Sequence, residues 1–290
     1  MSLKLDPTNP GSAGNAAYLA VACELAYHPE AAGREAFAAK LGLEATLIQA
    51  DNTEVYVGQD DTAVVLAFRG SESPDTLDGF KDWLLTNANN FLILPEGRIG
   101  TDFAAAGVGA RFHKGFMEAL AEIWDPLYAA VDAALKAKER PLWVTGHSLG
   151  GALALLAAWR LQQNFLPVQA VITFGAPMVG NDAAAQAFQR EFPGRIFRYV
   201  NDLDLVPKLP TVSLIANSYS HCLAEELLVD AAASGDLEES IFSSLTGRAT
   251  QGLLDATLMD ELWSGLKSRI AHHMLTSYRA RIDEKIKNLS

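Results

Sequence analysis

Apolar residues follow two rhythms along this chain. From Asn15 to Tyr27 alanine and leucine recur at helical spacing, whereas Glu54 to Gly58 and Thr62 to Phe68 are β-branched runs joined by Gln59-Asp60-Asp61. Such a pair predicts a hairpin that feeds the core. Further on, the short apolar runs Pro141 to Thr145, Val168 to Phe174 and Arg195 to Val200 alternate with helical patterns. These patterns cover Lys114 to Lys138, Leu149 to Phe165 and Asn181 to Phe192, and another spans Met274 to Ile286. Strands that alternate with helices predict an α/β fold with a mostly parallel central sheet flanked by helices.

Two stretches keep neither rhythm clearly. Phe91 to Arg111 is apolar and rich in Gly and Ala, and Leu223 to Lys267 reads as a helical, acidic insertion containing Glu225, Glu226, Glu238, Glu239, Asp255, Asp260 and Glu261. Between Thr76 and Leu85 apolar residues mix with charge at near-helical spacing, as in a segment that covers a site and presents apolar surface on opening. We therefore expect a lid within residues 72–94, with Leu77, Phe80, Trp83 and Leu84 as candidate acyl-chain contacts. No repeat, low-complexity linker or charge block divides the chain, so residues 1–290 are expected to form a single domain.

Chemistry enters at residues 144–151, Val-Thr-Gly-His-Ser-Leu-Gly-Gly. A Gly-x-Ser-x-Gly sequence between an apolar strand and an Ala/Leu-rich helix is the pattern of a nucleophile elbow, and it makes Ser148 the candidate nucleophile. Gly146 and Gly150 stand where neighbouring elements leave no room for a side chain.

A serine hydroxyl is a weak nucleophile at neutral pH and needs a base, an acid to orient that base, and donors for the oxyanion. In α/β-hydrolases the acid follows the serine and the histidine comes last. Asp202 and Asp204 close the apolar run before Pro207, where open α/β sheets carry functional groups. Of six histidines only His221, His272 and His273 follow them, and late position favours the pair His272 and His273. The N–H after the nucleophile belongs to Leu149, and the loop Arg69-Gly70-Ser71 after an earlier strand offers a second donor from Ser71.

Composition narrows the partners. With 49% hydrophobic residues in 290 the chain can fill a large core, and a formal charge of −12 disfavours nucleic acid and anionic membrane surfaces. Cys23 and Cys222 are too few for a disulfide framework and do not have metal-site spacing. The first residues have no apolar run of signal-peptide type, and no transmembrane stretch is visible; a cytoplasmic enzyme needing no cofactor and no metal is the expectation.

Several blocks together resemble the class 3 lipases, the family of the fungal triacylglycerol lipases. They are Phe68-Arg-Gly-Ser71, Asp82-Trp83, His113-Lys-Gly-Phe116, Gly146-His-Ser-Leu-Gly-Gly151, Thr173-Phe-Gly-Ala-Pro-Met-Val-Gly-Asn181, Phe197 to Pro207 and Tyr219-Ser-His221, which span about half the chain. The resemblance implies an α/β-hydrolase fold and ester hydrolysis through an acyl-enzyme. It places the nucleophile on Ser148, the acid on Asp204 and the oxyanion donors on Ser71 and Leu149. The family's histidine often stands five positions before a tyrosine, as His273 stands before Tyr278; Tyr-Ser-His221 matches a family element other than the catalytic histidine. A neutral lipid or small ester, met at a lipid–water interface or in solution, is the implied substrate. Phospholipase A1 or acyltransferase activity would use the same machinery, and an inactive lipase-like scaffold is a further reading.

Overall fold

A computed structural model describes residues 4–51, 53–70, 92–94, 97–208, 219–222, 225–228 and 269–289. Two helices open it, α1 (Ala13–Leu25) and α2 (Glu30–Leu41). Strands β1 (Glu44–Ala50), β2 (Thr53–Gln59) and β3 (Val64–Phe68) follow as an antiparallel meander. After β4 (Leu92–Ile93), α3 (Gly97–Ala104) and β5 (Phe112–His113), the chain alternates between helix and strand. This part comprises α4 (Lys114–Ala137), β6 (Leu142–His147), α5 (Leu149–Gln163), β7 (Val168–Phe174), β8 (Gly180–Asn181), α6 (Asp182–Glu191) and β9 (Ile196–Asn201). The short strands β10 (Tyr219–Ser220) and β11 (Glu225–Leu228) precede the closing helices α7 (Ile270–His273) and α8 (Leu275–Leu289).

Seven strands form one sheet in the order β1-β2-β3-β6-β7-β9-β11, parallel from β3 onward. The two faces follow from strand alternation. Val64, Leu66 and Phe68 of β3, with Val144 of β6, join the helices α4 and α5 in one apolar cluster. Val65 and Ala67, with Trp143 and Ile172, join α1, α2 and α8 in the other. This is the mostly parallel α/β sheet expected from the pattern, and the α/β-hydrolase architecture implied by the resemblance. Helix α5 is buried along nearly its whole length between the sheet and α4, which explains why it is built of Ala and Leu on every side rather than on one stripe.

Local chemistry sets the details. The predicted hairpin is present, but its second strand begins at Val64 because the Asp60 carboxylate takes the N–H groups of Thr62 and Ala63 and the Thr62 hydroxyl into the turn. Strand β1 carries weak alternation and was not anticipated. Phe91 to Arg111, read as irregular, contains β4 and α3. Glu225 to Leu228, read as the start of an acidic helix, is instead a strand. It pairs in parallel with β9 and buries Leu228, so ladder bonding at the sheet edge outweighs helical propensity there. The remainder of the expected insertion, and the expected lid apart from residues 92–94, lie outside the described residues.

Leu156 on α5 is fully buried against the sheet. Leu156→Ala is expected to lower unfolding free energy by about 2–5 kcal/mol, read by urea denaturation.

Candidate active site

Ser148 and Asp204 hang from the C-terminal ends of central strands, where a parallel sheet presents its loops. Ser148 stands between β6 and α5 with φ 57° and ψ −130°, a backbone state that non-glycine residues rarely hold and that costs about 1–3 kcal/mol. Its N–H donates to the Phe174 carbonyl at the end of β7 (2.9 Å), which anchors the elbow to the neighbouring strand. The two glycines of the motif are required by crowding. A Cβ on Gly146 would lie 2.1 Å from the Gly150 carbonyl oxygen, and one on Gly150 would lie 2.4 Å from that of Phe68.

Around Ser148 the structure brings together two of the residues singled out by sequence. His273 Nε2 lies 2.8 Å from Ser148 Oγ, and His273 Nδ1 lies 2.7 Å from Asp204 Oδ2. Because a carboxylate only accepts, Nδ1 carries the proton and Nε2 is left to accept from the serine hydroxyl. All three residues are buried. Asp204 sits just beyond β9 in a turn held by its own N–H to the Asn201 carbonyl, and its Oδ1 accepts the Val206 N–H (2.9 Å). Leu149 opens α5, so its N–H is one of the helical donors with no intrahelical acceptor. Ser71 lies outside the described residues.

The other histidines go elsewhere. The ring of His221 donates from Nε2 to the Pro207 carbonyl (2.5 Å), and His113 caps α4 through Nδ1. His272 contributes its carbonyl, which accepts from Asn201 Nδ2 (2.9 Å). Asp202 binds Arg281 of α8 (2.7 Å) rather than a histidine.

Four supporting residues were not assigned a role from sequence. Tyr278 donates its hydroxyl to Asp204 Oδ2 (2.6 Å) and accepts the Asn201 N–H (3.1 Å). Burial and the Asp204 charge push its phenol pKa well up, so it stays a donor. Asn201 also binds Ser277, tying β9 to the start of α8. His147 and Tyr27 form the last pair, with His147 Nδ1 2.9 Å from the Tyr27 hydroxyl and its Nε2 2.7 Å from the His273 carbonyl. The five-residue interval from His273 to Tyr278 was a visible signal for Tyr278; nothing in the spacing of Tyr27 or His147 pointed to their partners.

Burial also holds the imidazoles of His113, His147 and His221 down at about 3 each, against about 6.5 in an unfolded chain. Between those values the unfolded chain binds protons that the folded chain does not. Stability should therefore fall as pH drops below about 6.5, by up to about 1.4 kcal/mol per pH unit for each such histidine. A thermal-melt series from pH 7 to 4 checks this, and a flat Tm across that window would contradict three neutral buried rings. For the elbow, Gly150→Ala is expected to cost about 1–3 kcal/mol in unfolding free energy, since neither the Phe68 nor the Arg69 carbonyl can yield to a methyl group.

Comparison with known proteins adds the family. The class 3 lipase model matches residues 65–214. Secreted mono- and diacylglycerol lipase 3 of Gibberella zeae is 35% identical over 123 residues, covering 41% of this chain and 37% of that protein. Phospholipase A(1) DAD1, chloroplastic, of Arabidopsis thaliana is 30% identical over 160 residues, covering 52% of this chain and 34% of that protein. The chain thus spans little more than a third of the length of either. The lipase–propeptide complex of Rhizomucor miehei superimposes with a TM-score of 0.57 at 24% identity, covering 74% of this chain and 68% of that one, which shows a shared fold. A relative named as secreted overturns the expectation of a cytoplasmic enzyme and points to an extracellular setting. Cys23 and Cys222 are free thiols buried in clusters on opposite faces of the sheet. With half its length matched by the family model and the family's fold around an elbow serine, the chain belongs to the class 3 lipases.

Proposed function

We propose that this chain hydrolyses carboxylic esters of lipids, acylglycerols first among them, with Ser148 as nucleophile, His273 as general base and acid, and Asp204 as the orienting carboxylate. The observation that carries this reading is the continuous hydrogen-bond chain from Ser148 Oγ through both ring nitrogens of His273 to Asp204. Ser148 attacks the ester carbonyl as its proton passes to Nε2. The imidazolium so formed is stabilised by Asp204, and the tetrahedral oxyanion is met by the Leu149 N–H at the helix start and by Ser71. Collapse of the intermediate sends the Nε2 proton to the leaving alcohol, and water repeats the sequence on the acyl-enzyme, regenerating Ser148.

The preference for acylglycerols is supported by the name of the Gibberella zeae relative, and the chemistry requires only a neutral ester that reaches the elbow. Phospholipase A1 activity is the second reading, favoured by the chloroplastic relative. The net charge of −12 weighs against it, since an anionic phospholipid surface would be repelled.

Hydrolysis of p-nitrophenyl esters from acetyl to palmitoyl, alongside diacylglycerol and phosphatidylcholine, tests both readings. Ser148→Ala is expected to abolish turnover on every ester, and His273→Ala to lower kcat by about 10⁴-fold or more. Release of fatty acid from phosphatidylcholine but not from diacylglycerol would favour the phospholipase reading. Ester turnover that survives in Ser148→Ala would overturn the mechanism.

A further inference from the structure

We infer that Tyr27 and His147 form a positioning relay that fixes the main chain of His273 and the turn before the oxyanion loop, bringing the N-terminal helix into the site. This inference rests on the assignment of His273 as base.

The direction of every proton in the relay follows from its end point. A backbone carbonyl can only accept, so His147 Nε2 must carry the proton it shares with the His273 carbonyl (2.7 Å). With Nε2 protonated and the ring neutral, Nδ1 is a bare acceptor, and the Tyr27 hydroxyl donates to it (2.9 Å). The same four-atom logic continues on the other side of His273, whose Nδ1–H donates to Asp204 while Nε2 accepts from Ser148. His273 is therefore gripped at two points. Asp204 holds its ring, and His147, the residue directly before the nucleophile, holds its backbone. A shift of the His273 carbonyl would carry the ring with it, because α7 ends at this residue and Met274 is already extended.

Burial keeps both members of the relay in the required protonation state. The charged and titratable groups that face the His147 ring are Tyr27, His273, Tyr278 and Asp204; desolvation outweighs all of them, so the ring stays neutral. Desolvation likewise raises the Tyr27 phenol, so it stays a donor.

Tyr27 has a second contact that makes it more than a partner for His147. Its hydroxyl occupies the space beside Gly70, where a Cβ would lie 2.3 Å from the Tyr27 oxygen and 2.9 Å from the His147 carbonyl. The Gly70 backbone N–H interacts with the same hydroxyl. One phenol thus touches the histidine that braces the base and the residue that precedes Ser71. It stands just beyond α1, more than thirty residues before the stretch matched by the family model.

The test uses the full chain and three substitutions. His147→Leu removes the donor, His147→Gln keeps an amide N–H at about the reach of Nε2, and Tyr27→Phe removes only the hydroxyl. Losing one buried hydrogen bond to the His273 carbonyl is expected to lower kcat on a p-nitrophenyl ester by about tenfold in His147→Leu, with KM within twofold. Labelling of Ser148 by a fluorophosphonate should slow by the same factor. His147→Gln is expected to recover most of the loss, and Tyr27→Phe to fall between the two. Unchanged kcat and labelling rate in folded His147→Leu, or a Gln variant no better than Leu, would overturn the relay.

Should the Leu variant not fold, Tyr27→Phe decides through kcat and labelling alone. Ring ¹⁵N shifts provide a readout that needs no turnover. In the wild-type protein His147 should show a protonated Nε2 and a bare, hydrogen-bonded Nδ1 whose shift moves in Tyr27→Phe. That signature in a protein inert toward esters would sink the hydrolase reading and leave the relay standing, whereas a protonated Nδ1 would overturn the relay itself.

Discussion

A carboxylate shut away from water governs the architecture of this site. Asp204 is 1% exposed, and a buried charge without partners would cost several kcal/mol. Three donors remove that cost: His273 Nδ1–H and the Tyr278 hydroxyl on Oδ2, and the Val206 N–H on Oδ1. Two of the three come from the C-terminal helices. Satisfying the charge at the end of β9 therefore requires α7 and α8 to dock, and docking delivers the imidazole to Ser148. The demand for neutralisation and the assembly of the Ser148–His273–Asp204 hydrogen-bond chain are one event.

The sheet makes that event possible by placing strand ends side by side. Ser148 follows β6, its N–H is held by the last residue of β7, and Asp204 follows β9, so three adjacent strands supply the elbow serine, its anchor and the buried carboxylate. Gly175, just past β7, lies at the centre of this array with φ 60°. A Cβ there would come within 3.1 Å of Asp204, Tyr278 and His273 together. The absence of a side chain at one position is thus what allows the Asp204 carboxylate, the Tyr278 hydroxyl and the His273 ring to converge.

Much of this was legible in the sequence, and the parts that were not have a common cause. The helix–strand alternation of the central sheet could be read because parallel strands and their covering helices are long and strongly patterned. The elbow could be read because its glycines are demanded by backbone contacts that no other residue tolerates; order along the chain narrowed its partners to Asp202 or Asp204 and to His221, His272 or His273, and only the family resemblance pointed to Asp204 and His273. What escaped was set by tertiary pairing. Strand β11 is rich in glutamate and leucine and has helical composition, yet ladder bonds to β9 decide its state. Tyr27, His147 and Asn201 make their bonds through distant partners, up to 126 positions away in the case of His147 and His273, and no local pattern encodes such a meeting.

That long reach has a thermodynamic consequence. Ser148 holds a strained backbone, and strain of this kind persists only while the surroundings over-determine it. The surroundings here belong to segments that close very large loops: α1 through Tyr27, β9 through Asn201 and Asp204, and α7 and α8 through His273 and Tyr278. Opening α8 alone would remove the Tyr278 donor from Asp204 and the Ser277 contact from Asn201 at the same moment. Local unfolding of the C-terminal helices and loss of the His273 ring from Ser148 are consequently the same process. The free energy that holds the chain of hydrogen bonds in register is supplied by apolar burial on the face shared by α1 and α8, where Leu275, Tyr278 and Ile282 pack into the cluster that contains Leu19, Ala22 and Cys23. The geometry at Ser148 is in this sense a property of the core on the far face of the sheet as much as of the residues that touch it.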